Sequence, residues 1–173
     1  MIALGNDNSD ISNDGRPVLA KVSATNFIEN PQLREEVFGP FTLFVQCANP
    51  EEFRSVVKSF EGQLTISVMA TDADLQDHDY IVALIQEKAG RIVFNGVPTG
   101  VEVCHSMHHG GPYPASSNGK YTSVGSDAIK RFARPVCFQN APEAVLPVEL
   151  QNSNPRNIWR HVDGQWTRNG IDL

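Results

Sequence analysis

Two stretches of this chain bring together side chains able to do chemistry. The first is Cys104-His105-Ser106-Met107-His108-His109-Gly110-Gly111, with three imidazoles and one thiol inside six positions. Such a donor set can hold zinc, with Glu102 as a nearby carboxylate. Structural zinc sites, however, draw ligands from two separated clusters, and the other histidines, His78 and His161, stand alone in the sequence. The plainer expectation is no resident metal, with histidines satisfied by neighbours or facing solvent. Imidazole has another use here: it can donate a hydrogen bond to a carboxylate, which phenylalanine cannot.

The second stretch is Leu33-Arg34-Glu35-Glu36-Val37-Phe38-Gly39-Pro40. The ordinary reading of Glu35 and Glu36 is a solvated pair, because most carboxylates lie at the surface. Their setting adds something. Pro40 fixes φ and removes a donor where a strand begins, and Gly39 permits a turn or a close backbone approach. The apolar run Phe41–Val45 follows at once, so the loop feeds a buried strand and its carboxylates sit at the rim of a sheet. In parallel α/β sheets, ligands gather on loops outside the carboxyl ends of the strands.

Other chemistries find no support. There is no Gly-x-Ser-x-Gly elbow, and Asn118-Gly119-Lys120 lacks the upstream glycine spacing of a phosphate loop. The three cysteines, Cys47, Cys104 and Cys137, form no CxxC pair, which fits a reducing compartment and a cytoplasmic protein. A net charge of −6 argues against a nucleic-acid partner. No apolar run approaches a membrane span, and no signal-peptide pattern opens the sequence.

The elements that must position these residues follow a regular order. Residues 1–16 are rich in Asn, Asp and Gly and read as loop, Pro17–Ser23 as a short strand, and Asn30-Pro31 as a turn. After the Phe41–Gln46 strand, Asn49, Pro50 and Glu52 open a helix whose apolar face is Phe53, Val56, Val57 and Phe60, with Gly62 as its end. Leu64–Ala70 alternates as a strand. Residues 72–79 read as an acidic turn into a helix carrying Ile81, Leu84 and Ile85, stopped by Gly90, and Arg91–Asn95 as the next strand. Residues 96–125 form a long loop, expected to be ordered and functional. Ser126 then caps a short helix, and Val136–Gln139 is a final strand. The succession predicts an α/β fold with a largely parallel sheet and covering helices. Residues 1–140 make up this domain. Residues 141–173, richer in Pro, Asn and Gln, read as an extended C-terminal arm whose Trp159 and Trp166 set it against a neighbouring surface, in this chain or another.

Glu-Glu-hydrophobic-Phe-Gly-Pro resembles a signature of the aldehyde dehydrogenase superfamily. The superfamily shows the same order of elements after it, ending in a strand with an Asn, here Asn95-Gly96. Phe94–Val101 together with His108–Pro114 is similar to the α-ketoglutaric semialdehyde (2,5-dioxovalerate) dehydrogenases of that superfamily, and this resemblance covers residues 17–165. It implies the C-terminal part of the catalytic domain of an NAD- or NADP-dependent enzyme that oxidises an acidic semialdehyde. By position, Glu36 would hold hydroxyls of the nicotinamide-side ribose and Phe38 would lie against the nicotinamide. His108, His109, Gly110 and Gly111 would line the substrate pocket, with His109 where the family usually has an aromatic.

The family reaction needs a cysteine thiolate to attack the aldehyde and a glutamate to activate water. Both residues, and the cofactor-binding domain, lie upstream of the Glu-Glu motif by more residues than precede it here. None of the three cysteines sits in the nucleophile's motif, so the resemblance assigns no catalytic residue to this chain. The chain is expected to be silent alone and to act as a homo-oligomer or with the missing N-terminal portion. An alternative from another class is a non-enzymatic assembly or docking module derived from such an enzyme.

Overall fold

Val18–Ser23 (β2) and Phe41–Gln46 (β3) run parallel, in the register Val18↔Phe41 to Ser23↔Gln46, and both alternate strictly between covered and open side chains. Val18, Ala20 and Val22 share the covered face with Phe41, Leu43 and Val45, as the period of two requires. These strands belong to a computed structural model that describes residues 2–4, 15–98 and 100–171. The loop reading of residues 5–14 lies outside these. Ile2–Leu4 (β1) adds an antiparallel strand to β2. By contact, the chain divides into two units, Met1–Ala133 and Arg134–Leu173.

In the first unit, Ala24–Glu29 (α1) follows β2 directly, capped by the Ser23 hydroxyl, which accepts from Asn26 N–H. The sequence reading missed it because six residues are too few to show a helical period. Pro50–Ser59 (α2) starts as expected: the Asn49 side chain accepts from Glu52 N–H at 2.9 Å, and the Glu52 carboxylate accepts from Ala48 N–H at 2.8 Å. Gly62 is not its cap, since the helix ends at Ser59 and Phe60 is the cap residue, its N–H donating to the Val57 carbonyl.

Gln63–Val68 (β4) pairs in parallel with Ala89–Phe94 (β5). The acidic turn between them is in fact a helix, Asp72–Asp77 (α3), opened by a reciprocal Thr71/Asp74 capping box. Tyr80–Gln86 (α4) follows it, and Gly90 lies inside β5 and does not stop the helix. Val56 of α2 packs with Ala24 and Phe27, while the adjacent Val57 packs with Ile81 and Ile85. One helix thus seats two apolar clusters, one under each parallel pair. Phe60 closes the first edge to face on Phe27, with centroids 6.1 Å apart, and the Arg54 guanidinium lies over the Tyr80 ring.

The architecture is mixed α/β with short parallel strand pairs. It departs from the expected largely parallel sheet, because β1-β2-β3 and β4-β5 are separate sheets with no ladder between β3 and β4. After the long loop, Ser126–Phe132 is a 3-10 helix entered from Gly125 at φ 96, and Ser126 does not cap it. Its hydroxyl bonds the His105 ring.

The second unit holds no strand at 136–139, where the backbone forms no regular element. Arg160–Val162 (β6) and Gln165–Thr167 (β7) pair as an antiparallel hairpin. Asp163 and Gly164 turn it, at φ 49 and 82, the left-handed pair that a two-residue hairpin needs. Turns and a hairpin therefore stand in place of the extended arm. Polar bonds hold this unit. Buried Asn154 donates to the carbonyls of Ile158 and Arg168, and Arg160 donates to Gln151, Asn152 and Asn169. Trp159 and Trp166 are exposed on this chain, and the Arg168 guanidinium lies over the Trp159 ring.

Candidate functional site

Glycines let the long loop press against the sheet. Gly110 and Gly111 are buried, and their backbone crosses the amino ends of β4 and β5. A Cβ on Gly62 would collide with the Pro112 carbonyl, one on Gly90 with the Gly110 carbonyl, and one on Gly111 with the Gln63 carbonyl. The loop is held in place by its own return segment. The Thr122 hydroxyl accepts from His109 N–H at 2.8 Å, and both the amide and the hydroxyl of Ser123 donate to the His109 carbonyl at 2.9 Å. Thr122 is 4% exposed and also donates to Val124. This pinning holds the part of the loop around His109 to Pro112 in place, and sequence reading carried no signal for Thr122.

The histidines differ in setting. His108 and His109 are half-buried, and the Nδ1 of His109 is buried without a hydrogen-bond partner. His105 engages Ser126 at 3.0 Å, and the Cys104 sulfur lies 3.4 Å from the Ser106 hydroxyl. Among the described residues no three His, Cys, Asp or Glu side chains converge on a point where a metal could sit.

A cleft of about 680 Å³ lies beside the loop. Arg34, Glu35 and Glu36 form one wall, Gln63 to Thr65 another, and Pro114 and Ala115 bring the loop's contribution. The structure thus unites the paired carboxylates with the Gly-Gly-Pro loop through its far end, and the histidines are not in the lining. Phe38 is 97% exposed and also stands outside the lining. The cleft reaches the amino end of β4, Gln63 to Thr65, and takes Glu35 and Glu36 from the loop that leads into β3. This differs from the carboxyl-end location usual for parallel sheets, because the ligand-bearing loop here leads into its strand and does not leave it.

At the carboxyl end, Asn95 serves the fold. Its side-chain amide accepts from Ala70 N–H and donates to Ala70 C=O, both at 2.9 Å, and so fastens the ends of β4 and β5. The cysteines show no nucleophile arrangement. Cys47 packs against the first cluster, and burial, with the Glu52 charge second, pushes its thiol up.

The mixed α/β fold is compatible with part of an aldehyde dehydrogenase domain, and comparison with known proteins finds that over most of its length the chain is similar to proteins named as such dehydrogenases. It is 46% identical over 147 residues to alpha-ketoglutaric semialdehyde dehydrogenase 2 of Azospirillum brasilense, covering 85% of this chain and 28% of that protein. It is 44% identical over 140 residues to alpha-ketoglutaric semialdehyde dehydrogenase of Acinetobacter baylyi, covering 81% of this chain and 27% of that protein. The chain therefore spans under a third of the length of the relatives it matches. No protein-family model matches it.

Proposed function

We propose that this chain is the C-terminal portion of the catalytic domain of an NAD- or NADP-dependent aldehyde dehydrogenase. Its substrate is an acidic semialdehyde, α-ketoglutaric semialdehyde, which it oxidises to the dicarboxylic acid. The observation that carries the reading is the identity of 44–46% to two enzymes of that name over more than four-fifths of the chain.

The cleft is compatible with the cofactor. Glu36 is an exposed carboxylate on its wall, an acceptor suited to the hydroxyls of a ribose. The Phe38 ring, open to solvent, offers a face for a planar heterocycle. The cofactor, when bound, supplies the hydride acceptor; this chain's residues hold its sugar and orient it. In this reading His108 and His109 face the substrate's carboxylate, and the Gly110-Gly111 backbone shapes the pocket floor. The nucleophilic cysteine and the general-base glutamate belong to the remainder of the enzyme, which works in the cytoplasm as an oligomer.

Titration with NAD and NADP, with and without the part of the A. brasilense relative that this chain does not match, tests the reading. Cofactor binding and semialdehyde oxidation should arise on mixing and be absent from the chain alone. Turnover by the chain alone, or none in any mixture that associates, overturns it. The alternative, a non-enzymatic docking module, draws on the open face of β2 and β3, where Leu19 and Phe44 are each about half exposed. It predicts association without turnover.

A further inference from the structure

The sequence holds three Asn-Gly pairs, Asn95-Gly96, Asn118-Gly119 and Asn169-Gly170. In such a pair the backbone nitrogen of the glycine can attack the asparagine side-chain amide, because glycine brings no Cβ to obstruct the approach. The fold treats the three differently. Asn95 has both side-chain polar atoms tied to the Ala70 backbone at 2.9 Å, and one of them is the nitrogen that would have to leave. Asn169 is fixed through its backbone. Its N–H donates to the Thr167 hydroxyl, its carbonyl accepts from Arg160, and beyond Gly170 the Ile171 N–H donates to Asn152. Asn118 is exposed and opens a turn in which Tyr121 N–H donates to its carbonyl at 3.4 Å. Its Oδ1 accepts from Lys120 N–H at 3.1 Å, the bond of an Asx turn.

We propose that Asn118 is a site of spontaneous deamidation promoted by its own turn, while the fold protects Asn95 and Asn169. The Gly119 nitrogen, its proton taken by solvent hydroxide, attacks Cγ of Asn118. Negative charge then gathers on Oδ1, where the Lys120 N–H already donates, so the turn stabilises the tetrahedral state through which the reaction passes. The N–Cγ bond forms, the Cγ–Nδ2 bond breaks, and Nδ2 leaves as ammonia with a proton from water. Water opens the resulting cyclic imide, at Cγ to give aspartate or at the main-chain carbonyl to give isoaspartate. Either product adds a negative charge, and isoaspartate also lengthens the backbone by a methylene. The position gives this a consequence. A Cβ on Gly119 would lie 3.0 Å from the Gly111 carbonyl, and one on Gly110 would lie 2.8 Å from the Tyr121 carbonyl. The turn therefore backs the buried Gly110-Gly111 segment, and a longer backbone at position 118 displaces that support.

The test ages the whole chain in mildly alkaline buffer, both folded and in urea. Peptide mass mapping follows each pair, and enzymatic methylation with a labelled methyl donor counts isoaspartate. Folding should leave the Asn118 rate at or above its value in urea. It should slow Asn95 and Asn169 by about tenfold or more, since their bonds must open first. Asn118→Gln, whose longer side chain would need a six-membered ring, should remove the methylation at this position and keep the wild-type circular dichroism. Amide exchange at 109–111 should quicken in aged wild type and stay unchanged in aged Asn118→Gln. Two results overturn the proposal: slowing of Asn118 by folding as much as the other two, or modification of Asn95 or Asn169 in the folded chain as fast as Asn118. Unchanged exchange at 109–111 in protein that carries isoaspartate at 118 overturns the effect on the loop.

Discussion

Gly90 faces the carbonyl of Gly110 so closely that a Cβ at position 90 has no room. The obstacle is backbone, which cannot swing aside as a flexible side chain would. Gly90→Ala should therefore lose about 2 kcal/mol or more, as overpacking does. Gly100→Ala, where nothing lies within 4 Å of a Cβ, should change stability by less than about 0.5 kcal/mol. Urea denaturation of the two variants checks the contrast, and equal losses would mean that the loop does not rest on β5.

Asn95 adopts φ 49 and makes two bonds to Ala70. Asn95→Ala removes both bonds and puts a Cβ-bearing residue without polar compensation in a left-handed conformation, for an expected loss of about 2 kcal/mol. Asn95→Gly loses the same bonds but relaxes the backbone, so it should be the milder change by about 1 kcal/mol. Thermal denaturation of both variants tests the order.

How far the sequence reveals this molecule depends on the range of each interaction. The helix start at Asn49, Pro50 and Glu52 is local chemistry and reads directly, as do the alternating strands. The Thr71/Asp74 box was just as local but was hidden by its acidic composition, which looks like a turn. Gly62 and Gly90 read as helix stops because glycine commonly is one; their actual constraint is a loop some 20 to 50 positions away, which no local pattern records. Glu36 and the Gly-Gly loop are legible as motifs, yet their meeting through Pro114 and Ala115, with the histidines outside the lining, depends on packing. Asp163-Gly164 is the converse case: a strong hairpin signal, flanked by strands of only three residues each, too short to show an alternation.

Asp74 titrates against the Thr71 hydroxyl and amide. These hydrogen bonds, the hydroxyl's first, hold its carboxyl below the usual range. A lowered folded pKa means that the carboxylate's contribution is present above the unfolded value and disappears as pH falls through the folded one. Asp74→Asn should thus flatten the acid limb of the stability profile below about pH 4 and leave its slope near neutrality unchanged. Chemical denaturation across that range decides it. An unchanged acid limb would show that the cap does not depend on the charge.

Cys47 should react slowly with alkylating agents, since burial and then the Glu52 charge disfavour its thiolate. Glu52→Gln keeps an oxygen to accept from Ala48 N–H and removes the charge. Its Cys47 should be modified a few-fold faster than the wild type's, and still slowly, because burial is the larger cause. Peptide mass mapping after timed iodoacetamide treatment separates this thiol from Cys104 and Cys137.

Glu35 and Glu36 share one wall, and under the proposed function only Glu36 holds the cofactor's ribose. A charged acceptor is worth about 1.5 to 3 kcal/mol, so Glu36→Gln in the reconstituted enzyme should weaken cofactor binding roughly ten- to hundredfold. Glu35→Gln, next to it with the same charge change, should shift binding by less than about threefold. Fluorescence titration with reduced cofactor reads both variants without requiring turnover. Equal effects would reduce the pair to a general electrostatic wall. An effect confined to Glu36 would mean that one carboxylate of the two is a ligand-holding group, as the motif's resemblance implies.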